Sequence, residues 1–147
     1  MSRHLEGKHL LFLCVANAAR SAMAEGLAPR VLGPDVRVSS AGAHPASAPH
    51  PYAVEVMREI GLDISGHVPR PALDVESEAI DVVITLCTED VRPEHLRTKP
   101  WVDAPVPDPA LHAMEFSRAM AIETFRAARE DVEEILLRLR DRGLPAG

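Results

Sequence analysis

Aromatic residues are scarce in this chain of 147 residues: three Phe, one Trp and one Tyr amount to 3%, which leaves little to wall a site for an aryl group. Only two cysteines are present, Cys14 and Cys87, too few for a disulfide scaffold. No apolar run approaches the roughly 18 residues of a membrane span, so we expect no membrane partner. The net charge is −6 with both signs interspersed, which argues against a nucleic-acid partner but is compatible with a small anion site.

The length and composition indicate one domain that spans residues 1–147, because 46% hydrophobic and 26% charged residues are globular values. The N-terminus superficially resembles a secretory signal, since Arg3 and Lys8 precede an apolar run at 10–15. That run is shorter than a usual signal core. We therefore expect a cytoplasmic protein, in which free thiols stay reduced.

The spacing of apolar residues predicts strands that alternate with helices. Strands are expected at 10–14, 36–40, 80–86 and 101–102, and helices at 18–28, 51–60 and 122–139. Pro29 is expected to end or kink the first helix, and a loop is expected over 41–50. The alternation predicts an α/β fold with a small, doubly wound, four-stranded parallel sheet and helices on both faces.

The most informative stretch is Cys-Val-Ala-Asn-Ala-Ala-Arg-Ser at 14–21, between a buried strand and a helix start. In such a turn the backbone N–H groups and the helix dipole can form an anion cradle. Its predicted substrate-binding residues are Val15, Ala16, Asn17, Ala18, Ala19, Arg20 and Ser21. Arg20 suits bidentate contact with a tetrahedral oxyanion, and the same field favours a thiolate on Cys14. By itself the Cys-x5-Arg spacing is also compatible with a buried structural cysteine.

Several segments, in order along the chain, resemble the low-molecular-weight protein tyrosine phosphatase superfamily, and most closely its arsenate reductase branch. The matching segments lie at 11–26, 39–42, 53–64, 81–87 and 108–110, and the resemblance runs from about residue 8 to 140. It implies the fold of that superfamily and a role in arsenic detoxification, with arsenate or phosphate as the small oxyanion bound. It also implies that no cofactor is bound.

The resemblance implies a role for four catalytic residues. Cys14 attacks arsenate, Arg20 and the loop amides hold the oxyanion, and Asp108 protonates the departing oxygen. Cys87 then attacks the Cys14 sulfur, which releases arsenite and leaves a redox-active disulfide. The superfamily also supports the loop through a hydrogen bond between residues matching Asn17 and Ser40.

Each assignment has a structural alternative. Asp108 precedes Pro109, which is typical of a helix N-cap, and Asp103 is a nearby competitor for the role of acid. Cys87 is also compatible with a small apolar core residue. Glu25 matches a reductase position linked to cation binding, but a solvated helix-face Glu explains it as well, and we predict no metal site.

The choice between reductase and phosphatase depends on aromatic residues and on Cys87. Tyr residues follow the catalytic Asp-Pro in the phosphatase branch, whereas Ala110, Leu111 and His112 follow it here, which favours arsenate over an aryl phosphate. The alternative is a phosphomonoesterase, a hydrolase that uses Cys14, Arg20 and Asp108 without Cys87.

The sequence also departs from the thioredoxin-coupled reductases. No third cysteine follows Cys87 between residues 88 and 94, so a relay of three thiols within the chain is excluded. Ala16 and Ala19 replace a common Gly and a common Cys within the loop. We therefore expect an external thiol reductant, which is thioredoxin, glutathione or another small thiol. It either reduces a Cys14–Cys87 disulfide directly or resolves the arsenic adduct in place of Cys87. Three histidines are scattered in loops and are predicted to be solvated or packing residues: His44, His50 and His112.

Overall fold

The computed structural model describes residues 3–89, 92–111 and 113–144. Four parallel strands form one sheet in the order β2-β1-β3-β4, and the predicted α/β class and parallel sheet are confirmed. The strands are β1 (His9–Cys14), β2 (Arg37–Gly42), β3 (Val82–Thr85) and β4 (Trp101–Asp103). The helices are α1 (Arg20–Leu32), α2 (Pro51–Arg58) and α3 (Arg118–Arg142). Within the described part of the chain, no helix is both long enough and apolar enough to cross a bilayer.

Strand β1 lies at the centre of the sheet and is buried from Leu10 to Cys14. Its uninterrupted apolar sequence follows from this position, because both faces of the strand are covered. Leu13 pairs with Ala41 of β2 and with Thr85 of β3. The carboxyl ends of the three strands therefore lie at one edge of the sheet, where parallel folds place ligands.

The two faces of the sheet are covered differently. Leu10 and Phe12 pack with residues of α1, α2 and α3, whereas Leu11 and Leu13 belong to a second buried cluster. Short 3-10 helices cover that second face, at Ala72–Asp74, Ser77–Ala79 and Glu94–Leu96. These connections contain several prolines, which prevent a longer helix.

Two boundaries differ from those expected: Pro29 does not end α1, and the loop after β2 begins later. Helix α1 continues through Pro29 to Leu32, and the N–H of Gly33 donates to the Pro29 carbonyl at 3.1 Å. Because Pro29 lies in the last turn, it removes one hydrogen bond while buried Leu27 and Leu32 keep the segment packed. The predicted loop from Ala41 also begins later, since Ala41 and Gly42 extend β2 by pairing with β1.

Candidate active site

Residues 14–21, here called the Cys14 loop, connect the end of β1 to the first turn of α1. Four loop carbonyl groups accept hydrogen bonds from backbone N–H groups of the segment 43–50. The acceptors are Cys14, Val15, Ala16 and Ala18, and the donors are Ala43, His44, Ala46 and His50, at 2.8–3.2 Å. In a trans peptide the next N–H points opposite to the carbonyl, so the N–H groups of the following residues face away from this segment. They are therefore free of contacts with this segment, as an anion cradle requires.

Asn17 fixes the shape of the loop from inside. It is fully buried and has a φ of +52°, a left-handed conformation that Asn tolerates better than most residues. Its Nδ2 donates to Ser21 Oγ at 2.8 Å and to Ser40 Oγ at 2.9 Å. Ser21 Oγ in turn lies 2.8 Å from Cys14 Sγ, where it can stabilise a thiolate. The predicted contact between Asn17 and Ser40 is therefore present.

Arg20 is buried at the first position of α1 and extends across the sheet edge. Its Nη1 donates to the carbonyl oxygen of Val106 at 3.1 Å, and its Nη2 lies 3.9 Å from Asp108 Oδ2. A guanidinium held in this way carries its charge next to both the Cys14 loop and the carboxylate. The sequence-predicted nucleophile, anion-binding arginine and acid are thus brought to the same place.

Asp108 combines features of both interpretations offered by the sequence. Its Oδ1 accepts a hydrogen bond from the N–H of Ala110 at 2.9 Å, as in a capped turn, although α3 begins only at Arg118. The competitor Asp103 accepts hydrogen bonds from Thr85 and Arg92, which hold its pKa below the usual value. Asp103 therefore stays ionised and is a poor proton donor, whereas Asp108 lies beside the loop.

Cys87 lies two residues beyond β3 and is buried in the same apolar cluster as Cys14. Burial raises the pKa of the Cys87 thiol to about 11; the positive charge of Arg20 opposes this shift and the charge on Cys14 adds to it. Its Sγ donates weakly to the carbonyl of Glu89 at 3.7 Å. Cys87 is consequently a protonated thiol close enough to Cys14 to respond to its charge.

Comparison with known proteins identifies the family. The model of the low molecular weight phosphotyrosine protein phosphatases matches residues 9–141. The chain belongs to this family. It is 34% identical over 129 residues to a glutaredoxin arsenate reductase of Synechocystis, an alignment that covers 86% of this chain and 92% of the relative.

Solved structures of the family agree with this result. An arsenate reductase in the phosphate binding state has a TM-score of 0.77 and 32% identity, with 93% of this chain and 99% of that one covered. A thioredoxin-dependent arsenate reductase of Corynebacterium glutamicum has a TM-score of 0.60 and 30% identity, with 89% and 62% covered. The predicted resemblance to the family and to its arsenate reductase branch is confirmed.

Behind the Cys14 loop, the structure reveals two residues that the sequence did not single out, His67 and Arg70. His67 Nε2 donates to the Asn17 carbonyl at 2.9 Å, and its Nδ1 lies 3.7 Å from Glu25 Oε2. The N–H of Arg70 donates to Asn17 Oδ1 at 3.1 Å. Neither residue belongs to a family segment matched from the sequence, and no periodicity marks either one, so only the three-dimensional contacts reveal them. Glu25, by contrast, is not the freely solvated helix residue that we considered.

His50 also has a more specific position than the sequence indicated. Its Nδ1 accepts the N–H of Tyr52 at 3.1 Å and so caps α2, and its ring packs 4.5 Å from the ring of Phe125. Burial lowers the pKa of His50, and the negative charge of Asp108 opposes that shift. His44 is exposed, and His112 lies outside the described residues.

Proposed function

We propose that this protein reduces arsenate to arsenite with Cys14 as the nucleophile and Cys87 as the resolving thiol. The relatives confirm the predicted enzyme class, arsenate reductase. The observation that carries the residue assignment is the burial of both cysteines in one cluster at the carboxyl edge of β1 and β3. A phosphatase needs only the first of them.

The first step joins sulfur to arsenic. The Cys14 thiolate attacks the arsenic atom while Arg20 and the loop amides neutralise the oxyanion. One arsenate oxygen leaves as water after Asp108 supplies a proton, because an unprotonated oxide is a poor leaving group. The product is a Cys14–arsenic(V) thioester, and arsenic has not yet changed oxidation state.

The second step is the reduction. The Cys87 sulfur attacks the Cys14 sulfur, and the electron pair of the sulfur–arsenic bond passes to arsenic. Arsenic leaves as arsenite, two electrons richer, and a Cys14–Cys87 disulfide remains.

Turnover then requires an external thiol reductant, because no third cysteine is present in the chain. The Synechocystis relative is named for glutaredoxin and the Corynebacterium structure for thioredoxin, so both are donors to be tested here. Glutathione or another small thiol is the third. A reductant of this kind places the reaction in a reducing compartment, and we propose the cytoplasm.

The test is arsenite production from arsenate with each donor in parallel, for the parent chain, Cys14→Ser and Cys87→Ser. We expect loss of arsenite for Cys14→Ser with every donor, and loss of multiple turnover for Cys87→Ser. Mass spectrometry after one turnover should show the Cys14–Cys87 disulfide in the parent chain. An undiminished rate for Cys14→Ser would refute the proposal.

The contact between Arg20 and Asp108 is equally suited to a second candidate function, the hydrolysis of a phosphomonoester. This function predicts that Cys87→Ala hydrolyses an aryl phosphate as fast as the parent chain. The same variant should be deficient in arsenite production if the reductase proposal is right. Measuring both activities on one variant separates the two functions.

A further inference from the structure

Five oxygen atoms of Glu25, Asn17 and Ser40 are connected through the donors Ser40, His67 and Arg70 next to the Cys14 loop. They are the two carboxylate oxygens of Glu25, the backbone and side-chain oxygens of Asn17, and the backbone oxygen of Ser40. Carboxylate and carbonyl oxygens are the ligands that hard cations prefer. Since the resemblance links position 25 to cation binding, the fit of a cation to this oxygen set can be tested directly.

Every one of these oxygens already faces a donor of the protein. The hydroxyl of Ser40 donates to Glu25 Oε1 at 3.0 Å, and His67 Nδ1 lies 3.7 Å from Oε2. His67 Nε2 donates to the Asn17 carbonyl at 2.9 Å. Arg70 serves the other two, since its N–H donates to Asn17 Oδ1 and its Nε to the Ser40 carbonyl, both at 3.1 Å. A cation would have to displace these donors, so the residues present do not fit one.

The charges lead to the same conclusion. Glu25 supplies the only carboxylate of the oxygen set, and it faces Arg70, which is always charged, and His67. Contact with Glu25 raises the pKa of His67. Burial alone would raise the pKa of Glu25, but the contacts with His67 and Ser40 outweigh burial and lower it. The carboxylate is thus balanced by positive groups of the chain, which would repel an added cation.

We infer that His67 and Arg70 take the place of a cation behind the Cys14 loop, so that the loop holds its shape without any metal ion. Both are positioning residues, because they act on the loop through Asn17 and Ser40 and touch no reacting atom. Arg70 makes two contacts here. Its backbone N–H donates to Asn17 in the loop, and its guanidinium donates to the Ser40 carbonyl in β2. The guanidinium contact is the one that a substitution can remove.

The test compares potassium, sodium and tetramethylammonium chloride at equal ionic strength, with the thermal midpoint and the affinity for inorganic phosphate as readouts. Tetramethylammonium serves as a cation too large to enter the oxygen set. For the parent chain we expect the same values in all three salts. The thermal midpoint needs no turnover, so it stays informative even if the proposed reductase activity fails.

The decisive variant is Arg70→Met, which keeps the stem of the side chain and removes its charge. We expect its phosphate affinity to fall in tetramethylammonium and to recover roughly tenfold in potassium or sodium. Arg70→Lys keeps a positive charge and should stay independent of the salt. Arg30→Met is the matched control, since Arg30 also donates to a backbone carbonyl, that of Ile60, but on the exposed side of α1.

Two results of this experiment would overturn the inference, and one further result would support it. A parent chain stabilised by potassium or sodium over tetramethylammonium would overturn the inference, because it would show that a cation still enters. An Arg70→Met variant that is indifferent to the cation would overturn it as well. If Arg70→Met folds only in potassium or sodium, the thermal midpoint alone reports the rescue and supports the inference.

Discussion

The Arg20 guanidinium donates a hydrogen bond to the carbonyl oxygen of Val106 at 3.1 Å, which ties the first residue of α1 to the segment that leads to Asp108. The contact joins two elements that are distant in sequence but adjacent at the sheet edge. It holds Arg20 in a defined position before any oxyanion arrives. Preorganisation of this kind lowers the cost of binding and of stabilising charge in the transition state.

Arg20→Lys is expected to reduce arsenate turnover by roughly 10²–10³, the usual cost of losing a preorganised donor. Lysine keeps the charge but lacks the planar guanidinium that allows Arg20 to contact the Val106 carbonyl and an oxyanion at the same time. Steady-state kinetics should show the loss mainly in kcat/KM. Arg30→Lys, on the exposed face of the same helix, is the control and should keep the parental rate. Equal activity of both variants would contradict the role given to Arg20.

Asn17 is predicted to carry two separable contributions to stability. Asn17→Ala loses the side-chain hydrogen bonds to Ser21, Ser40 and the Arg70 N–H and keeps a strained positive φ, so we expect about 2–4 kcal/mol of destabilisation. Asn17→Gly loses the same bonds but not the strain, and should be more stable than the Ala variant by about 1 kcal/mol. Urea unfolding of both variants measures the difference. Identical free energies of unfolding would mean that the left-handed backbone imposes no cost here.

The sequence predicts the part of the site that is contiguous. Cys14, Arg20 and Ser21 lie within eight residues, and a strand before them and a helix after them are visible as an apolar run and an alanine-rich segment. The fold class follows from the same alternation. Local sequence therefore predicts geometry that one strand, one turn and one helix determine together.

The remainder depends on contacts across the fold. His67 is 50 residues from Asn17 in sequence, so no local pattern could indicate the hydrogen bond between them. Pro29 was misjudged for a related reason: its local preference opposes helix, but burial of neighbouring α1 residues outweighs one missing hydrogen bond. Tertiary packing therefore decides both cases.

His67 and Glu25 should make stability depend on pH in a defined window. The pKa of His67 is raised from 6.5, so its contribution is complete below that value and is lost as pH rises through the folded pKa. The pKa of Glu25 is lowered from 4.5, so its contribution is complete above that value and is lost as pH falls through the folded pKa. We expect the contribution of this pair to the thermal midpoint to be largest between pH 4.5 and pH 6.5.

The check is the thermal midpoint of the parent chain and of His67→Gln across pH 4 to 9. Gln can still donate to the Asn17 carbonyl but carries no charge, so the variant should lose stability mainly inside the window and little above it. His44→Gln, in an exposed loop, is the control. A His67→Gln midpoint that runs parallel to the parent at every pH would show that the charge of His67 does not contribute.

Cys87 should make the reduction step faster at higher pH. Its thiol has a pKa of about 11. At pH values below this pKa, the thiolate fraction therefore increases about tenfold for each unit by which the pH is raised. When attack by Cys87 limits arsenite release, the single-turnover rate should increase in proportion between pH 7 and 9. Hydrolysis of an aryl phosphate by the same preparation does not use Cys87 and is the internal control. If both reactions show the same pH profile, or if arsenite release is independent of pH, Cys87 is not the slow nucleophile.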